Sequence, residues 1–217
     1  MIKGVIFDLD GTTVYTLHDL CDALNIALKS FSFPEVDLET VRKGLGNGAM
    51  RLIRAVAPKD IDDETAERLC HKYLDTYINI CTDKSIPYPG VSELLRELQN
   101  RGVKIAINSN KGDNLSKKII AYDFPDINFV DVYGDREGVI KKPDPKGAND
   151  LVEMMKLDKS EVLYVGDSEV DVKTARNANL KSVGCLWGYR DYETLKEAGA
   201  DYIIEKPQEI LSLLEEL

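Results

Sequence analysis

The sequence predicts an α/β protein, a parallel sheet covered by helices and interrupted early by a segment that is helical throughout. Three observations carry this reading. From residue 91 to the C-terminus, short apolar β-branched stretches alternate with amphipathic helical ones, and parallel strands need crossovers of that kind. A further strand, Ile2 to Leu9, stands apart from that run, at the start of the chain. Between the two, residues 16–86 place apolar side chains at helical spacing and hold no convincing strand. The predicted organisation is therefore a core of residues 1–15 and 87–217, with a helical domain of residues 16–86 inserted after the first strand.

The elements follow in order. Ile2–Leu9 is mostly apolar and β-branched, as a strand buried on both faces should be. Leu17, Leu20, Cys21, Leu24, Ala27, Leu28 and Phe31 mark a helix that Pro34 closes. Asp37–Lys43 is a second helix with Asp37 as its N-cap, and Ala49–Ala57 a third. Between them lies Gly44-Leu45-Gly46-Asn47-Gly48. It lacks the Gly-Lys-Ser/Thr of a P-loop, and reads either as a glycine stop with an Asn cap or as a loop that touches substrate through Asn47. Asp62–Thr82 is a long helix whose Tyr73 and Tyr77 belong to its apolar stripe. After Pro87-Tyr88-Pro89-Gly90 come helices at 91–100, 114–121, 145–155, 170–178, 192–198 and 208–217. Strands at 103–108, 129–133, 162–165, 182–187 and 201–204 separate them.

Composition bounds the function. The chain has 217 residues, 43% hydrophobic and 30% charged, which suits a folded globular protein. A formal net charge of −10 argues against nucleic acid and anionic membrane surfaces as partners. No apolar run nears the roughly 20 residues of a membrane span. Met1 runs almost directly into the first strand without a signal-like segment, and the four cysteines are scattered, so reduced thiols in the cytoplasm are expected. His18 and His71 are isolated and do not suggest a zinc site. The sequence leaves the oligomeric state open.

Chemistry-bearing residues gather where strands should end. Asp8 and Asp10 close the first strand before Gly11, although Asp10-Gly11 alone also suits a hairpin turn. Ser109-Asn110-Lys111 follows the strand 103–108, as a helix cap or as a hydroxyl beside amides for a phosphoryl oxygen. Lys141-Lys142-Pro143-Asp144-Pro145 is a proline-stiffened loop, either exposed or aiming a lysine into a site. Gly166-Asp167 and Asp171 open a helix, where the spacing puts both carboxylates on one face if the helix begins there. Four carboxylates crowding one sheet end demand a compensating cation, and Mg²⁺ suits few carboxylates plus phosphate oxygen.

Asp8-Leu9-Asp10-Gly11-Thr12, Ser109, Lys142-Pro143 and Gly166-Asp167 with Asp171 resemble the four ordered motifs of the haloacid dehalogenase superfamily of phosphohydrolases. The resemblance covers essentially the whole chain, and implies a Rossmann-like parallel core with a small α-helical cap. Gly46-Asn47-Gly48-Ala49, Ser109-Asn110-Lys111, Lys142-Pro143-Asp144-Pro145 and Gly188-Tyr189 look most like its phosphoglycolate phosphatase branch. Thr13 and Tyr15 depart from the Leu and Asp usual after the first motif. The resemblance implies Asp8 as nucleophile and Asp10 as general acid and base. It implies Mg²⁺ on Asp8, the Asp10 carbonyl and Asp167, with Asp171 steadying the metal site. Ser109 and Lys142 would stabilise transferring charge, and Thr12, Asn110 and Asn47 would meet a small phosphorylated metabolite. A phosphosugar mutase of the β-phosphoglucomutase type shares these motifs. So do sugar-phosphate and pyrophosphate hydrolases.

Overall fold

The computed structural model describes residues 1–46 and 48–217. Asn47, expected above to meet substrate, lies outside the described residues. The chain begins with β1 (Gly4–Phe7) and β2 (Val14–Tyr15), then α1 (Leu17–Ser30), α2 (Leu38–Gly44), α3 (Ala49–Val56) and α4 (Asp63–Ile80). After β3 (Ile86–Pro87) come α5 (Val91–Asn100), β4 (Lys104–Gly112), α6 (Asp113–Asp123), β5 (Phe129–Asp135) and α7 (Lys146–Met155). The last stretch holds β6 (Val162–Gly166), α8 (Glu169–Ala178), β7 (Lys181–Cys185), α9 (Tyr192–Ala198), β8 (Tyr202–Ile204) and α10 (Glu209–Glu216).

The chain folds into two units, Met1–Val14 with Pro87–Leu217, and Tyr15–Ile86. In the first, six strands form one sheet in the order β5-β4-β1-β6-β7-β8, every neighbouring pair parallel. The chain winds outward from β1 through β4 to β5, then returns to β6 and winds outward on the other side to β8. The winding direction reverses between β1 and β6, which opens a crevice at the carboxyl ends of those two strands. Val5, Ile6 and Phe7 are buried because helices cover both faces of the sheet. Ile6 packs in a cluster with Ala148, Leu151, Met155 and Tyr164. This α/β architecture is the one that the alternating pattern predicts.

Boundaries differ in two places that matter. β1 ends at Phe7 rather than Leu9, because the N–H groups of Thr12, Thr13 and Val14 all converge on the Leu9 carbonyl (3.3, 3.0 and 3.1 Å) and pull the chain into a turn. β4 runs on to Gly112, four residues past the expected end, and α6 starts at Asp113.

The second unit is built from α1 to α4. Leu20, Leu24 and Leu28 of α1 and Leu69, Tyr73 and Tyr77 of α4 are buried, and the two tyrosine rings stack 5.8 Å apart. Asp37 and Asp62 cap α2 and α4 by accepting from the N–H of Thr40 (2.8 Å) and Thr65 (2.7 Å). Gly48 holds the N-cap position of α3 at φ +85°, a conformation glycine adopts without strain. The buried Asp19 on α1 accepts from the N–H groups of Lys84 and Ser85 and from the Ser85 hydroxyl, so its charge is fully hydrogen-bonded. All four cysteines are buried and none is in a disulfide. Among the described residues no helix is long and apolar enough to cross a membrane.

Candidate active site

The turn after β1 fixes two carboxylates. Asp8 keeps strand pairing, its N–H donating to the Val165 carbonyl (2.9 Å), while its Oδ1 accepts from the Leu9 N–H (2.7 Å). Gly11 stands at φ +85°, and a Cβ there would run into the Asp167 carboxylate and the Tyr189 ring. Glycine is thus required twice over, by conformation and by close approach. Thr12 is fully buried, and its hydroxyl donates to Asp167 Oδ1 (3.3 Å). The structure turns that side chain toward a carboxylate of the site.

Asp167 follows β6 directly, and its Oδ2 accepts from the Tyr189 N–H (2.7 Å). Gly188 allows that approach, since a Cβ there would strike Asp167 and the Gly11 carbonyl. Asp171 reaches the same place by another route than a shared helix face. It is the third residue of α8, and its Oδ2 accepts from the N–H (3.2 Å) and Oγ (2.5 Å) of the N-cap Ser168. A capping box therefore bends Asp171 back over the helix start.

The end of β4 supplies the other wall. Ser109 is buried within the strand, and its Oγ accepts from the Lys111 N–H (3.2 Å), so it is not a helix cap. Asn110 faces the loop before α7. Its Oδ1 accepts from the Lys142 N–H (2.7 Å) and its Nδ2 donates to the Lys142 carbonyl (3.1 Å). That double hold sets Lys142, whose Nζ lies 2.9 Å from Asp8 Oδ1 and 2.7 Å from Asp171 Oδ1. Lys142 is buried with them, while Lys141 and Pro143 on either side of it are exposed. Lys111 turns the opposite way from Asn110, its Nζ 2.7 and 2.9 Å from the two Asp10 oxygens. Its motif alone assigns Lys111 no role. What finds it is the extension of β4 past Asn108, which brings Lys111 to Asp10.

Electrostatics follow from burial. Burial and the charge of Asp171 push Asp8 up to about 7, while Lys142 pulls the other way. Burial, then Asp171 and Asp8, push Asp167 well above the usual carboxylate range. Burial works against the charge of Lys142, but Asp171 and Asp8 override it and raise its pKa. Asp8, Asp167 and Asp171 can each offer a carboxylate oxygen, all within 4.8 Å of one another. Three buried carboxylates, two of them pushed up by burial and by the carboxylates beside them, fit a divalent cation held by oxygen ligands.

A buried carboxylate cluster and a lysine thus lie together at the switch point of a parallel sheet. The family described as haloacid dehalogenase-like hydrolase matches residues 5–185, and the chain belongs to that family. A phosphoglycolate phosphatase from Caulobacter vibrioides is 35% identical over 217 residues, covering 97% of this chain and 91% of that relative. One from Vibrio parahaemolyticus is 33% identical, covering 98% and 96%. A solved structure of a predicted phosphoglycolate phosphatase from Haemophilus somnus is similar with a TM-score of 0.91 and 28% identity, covering 98% and 97%. That of a predicted phosphatase from Clostridium acetobutylicum has a TM-score of 0.88 and 26% identity over all of both chains. Within the family, the chain is a phosphatase, a phosphoric monoester hydrolase.

Proposed function

We propose that the chain is a Mg²⁺-dependent phosphatase of a small phosphorylated metabolite, phosphoglycolate before others, working through a phosphorylated Asp8. The observation that carries this is the surroundings of Asp8 at the end of the central strand. Both the Leu9 N–H and the Lys142 ammonium act on its Oδ1. That leaves Oδ2 to attack phosphorus in line with the leaving oxygen. The P–O bond to the leaving group breaks as the Asp8–phosphorus bond forms, and Asp10 delivers a proton to the departing oxygen. Asp10 then takes a proton from water, which attacks the phosphoryl group, releases inorganic phosphate and restores Asp8.

Ser109 and Lys142 stabilise charge on the transferring group. Asn110 holds Lys142, and Thr12 and the Tyr189 N–H hold Asp167. Asp8, the Asp10 carbonyl and Asp167 would hold the metal, with Asp171 steadying that site. Bound there, the ion offsets repulsion between carboxylate and phosphate. Oxygen ligands and a phosphate substrate favour Mg²⁺ among divalent ions. The helical segment 16–86 serves as a cap, since the chain leaves the core a few residues after Asp10 and returns beside Pro87. A single experiment tests the reading. Asp8→Asn preserves shape and removes the attacking charge, so phosphate release from phosphoglycolate with Mg²⁺ should fall by at least about a thousandfold in a folded protein. Turnover retained by Asp8→Asn refutes it, and so does a wild type that, given a sugar phosphate, yields a rearranged sugar phosphate in place of inorganic phosphate.

A further inference from the structure

Two buried ammonium groups serve this site, and the proposed chemistry uses only Lys142. The second belongs to Lys111, whose side chain is 5% exposed and whose Nζ bridges both oxygens of Asp10. Its placement follows from the extension of β4. The register of β4 against β5 shifts between Asn108 and Gly112, and within that stretch Asn110 turns to the Lys142 loop while Lys111 turns to Asp10. Lys142 is committed to Asp171 and to Oδ1 of the nucleophile Asp8. Lys111 stands at Asp10, on the side of the group that departs.

We propose that Lys111 recognises an anionic group on the leaving group, and so makes this enzyme selective for phosphate esters whose alcohol or acid carries its own negative charge. This rests on the reading of Asp10 as the proton donor and deepens it. A donor to the leaving oxygen must lie within hydrogen-bond reach of it. The Lys111 ammonium, one further hydrogen bond from Asp10, then lies within about 6 Å of that oxygen. A carboxylate one methylene away, as in phosphoglycolate, falls inside that radius, and so does the second phosphate of pyrophosphate. A neutral hydroxymethyl in the same place gives an ammonium nothing to pair with.

The test compares kcat/KM for phosphoglycolate, inorganic pyrophosphate and 2-hydroxyethyl phosphate, with Mg²⁺, in the wild type and in Lys111→Met and Lys111→Arg. A charge-assisted hydrogen bond predicts that the wild type prefers phosphoglycolate to 2-hydroxyethyl phosphate by roughly 10- to 100-fold. Lys111→Met should remove that preference, and Lys111→Arg should keep part of it. A Lys111-dependent preference for pyrophosphate in place of phosphoglycolate supports the same anion recognition and assigns the anion as phosphate. A wild type with no preference for either anionic substrate overturns the proposal, whether or not the variants fold. So does an equal loss on all three substrates in Lys111→Met, which would confine Lys111 to holding Asp10. Hydrolysis of none of the three by the wild type overturns the phosphoglycolate reading along with it.

Discussion

Replacing Asn110 by alanine removes two hydrogen bonds at once, both to the main chain of Lys142, at 2.7 and 3.1 Å. Each is worth about 1 kcal/mol, and a buried N–H left without a partner costs about 1–3 kcal/mol more, so the variant should lose about 3–5 kcal/mol of local stability. The segment affected carries the ammonium that touches Asp8 and Asp171. If about 2 kcal/mol of that loss appears as displacement of Lys142, its productive placement falls roughly thirtyfold, and kcat/KM with it. Steady-state phosphate release by Asn110→Ala, Lys142→Met and the double variant separates the roles. Acting through Lys142, Asn110→Ala should add nothing in the Lys142→Met background. Independent, multiplying losses would mean that Asn110 meets substrate directly, and would refute the positioning argument.

Gly11→Ala should lower the melting temperature and abolish Mg²⁺-induced stabilisation, because a Cβ at φ +85° meets the Asp167 carboxylate; an unchanged Mg²⁺ response would contradict the packing. For pH, the folded protein without metal holds a proton on Asp8 up to about 7, against 3.8 for an ordinary aspartate. More protons are then bound folded than unfolded, so stability falls as pH rises from about 4 through 7. Cation binding must release those protons, so Mg²⁺ should raise Tm more at pH 8 than at pH 6, and a shift independent of pH in thermal melts would refute this.

The strands and the four carboxylates are legible in the sequence because apolar, β-branched runs break off at Asp8, Asp10 and Asp167, and a sheet places such ends together. The order of strands is not, since alternation fixes parallel crossovers without saying on which side of β1 each lands. Ser109-Asn110-Lys111-Gly112 reads as the way into a helix because polar residues and glycine are poor strand formers. Tertiary contacts outweigh that propensity: Lys111 pairs with Asp10, and Asn110 with the Lys142 backbone. Asp19, polar on an otherwise apolar helix face, is illegible for the same reason, since its partners Lys84 and Ser85 lie 65 and 66 residues away.

Charge balance explains why these particular residues need one another. Asp8, Asp10, Asp167 and Asp171 face the ammonium groups of Lys111 and Lys142, so these six side chains fall short by two positive charges. One divalent cation closes that gap. The lysines cannot close it by themselves, because Lys142 is shared between Asp8 and Asp171, while the hydrogen bonds to Asp167 from Thr12 and Tyr189 come from neutral donors. The raised pKa of Asp167 is the cost of that arrangement when no cation is bound. A protein selected for stability alone would replace such a cluster with apolar side chains. Its presence, on the ends of three strands and the loop that carries Lys142, fits a site built to bind a cation and a phosphate together.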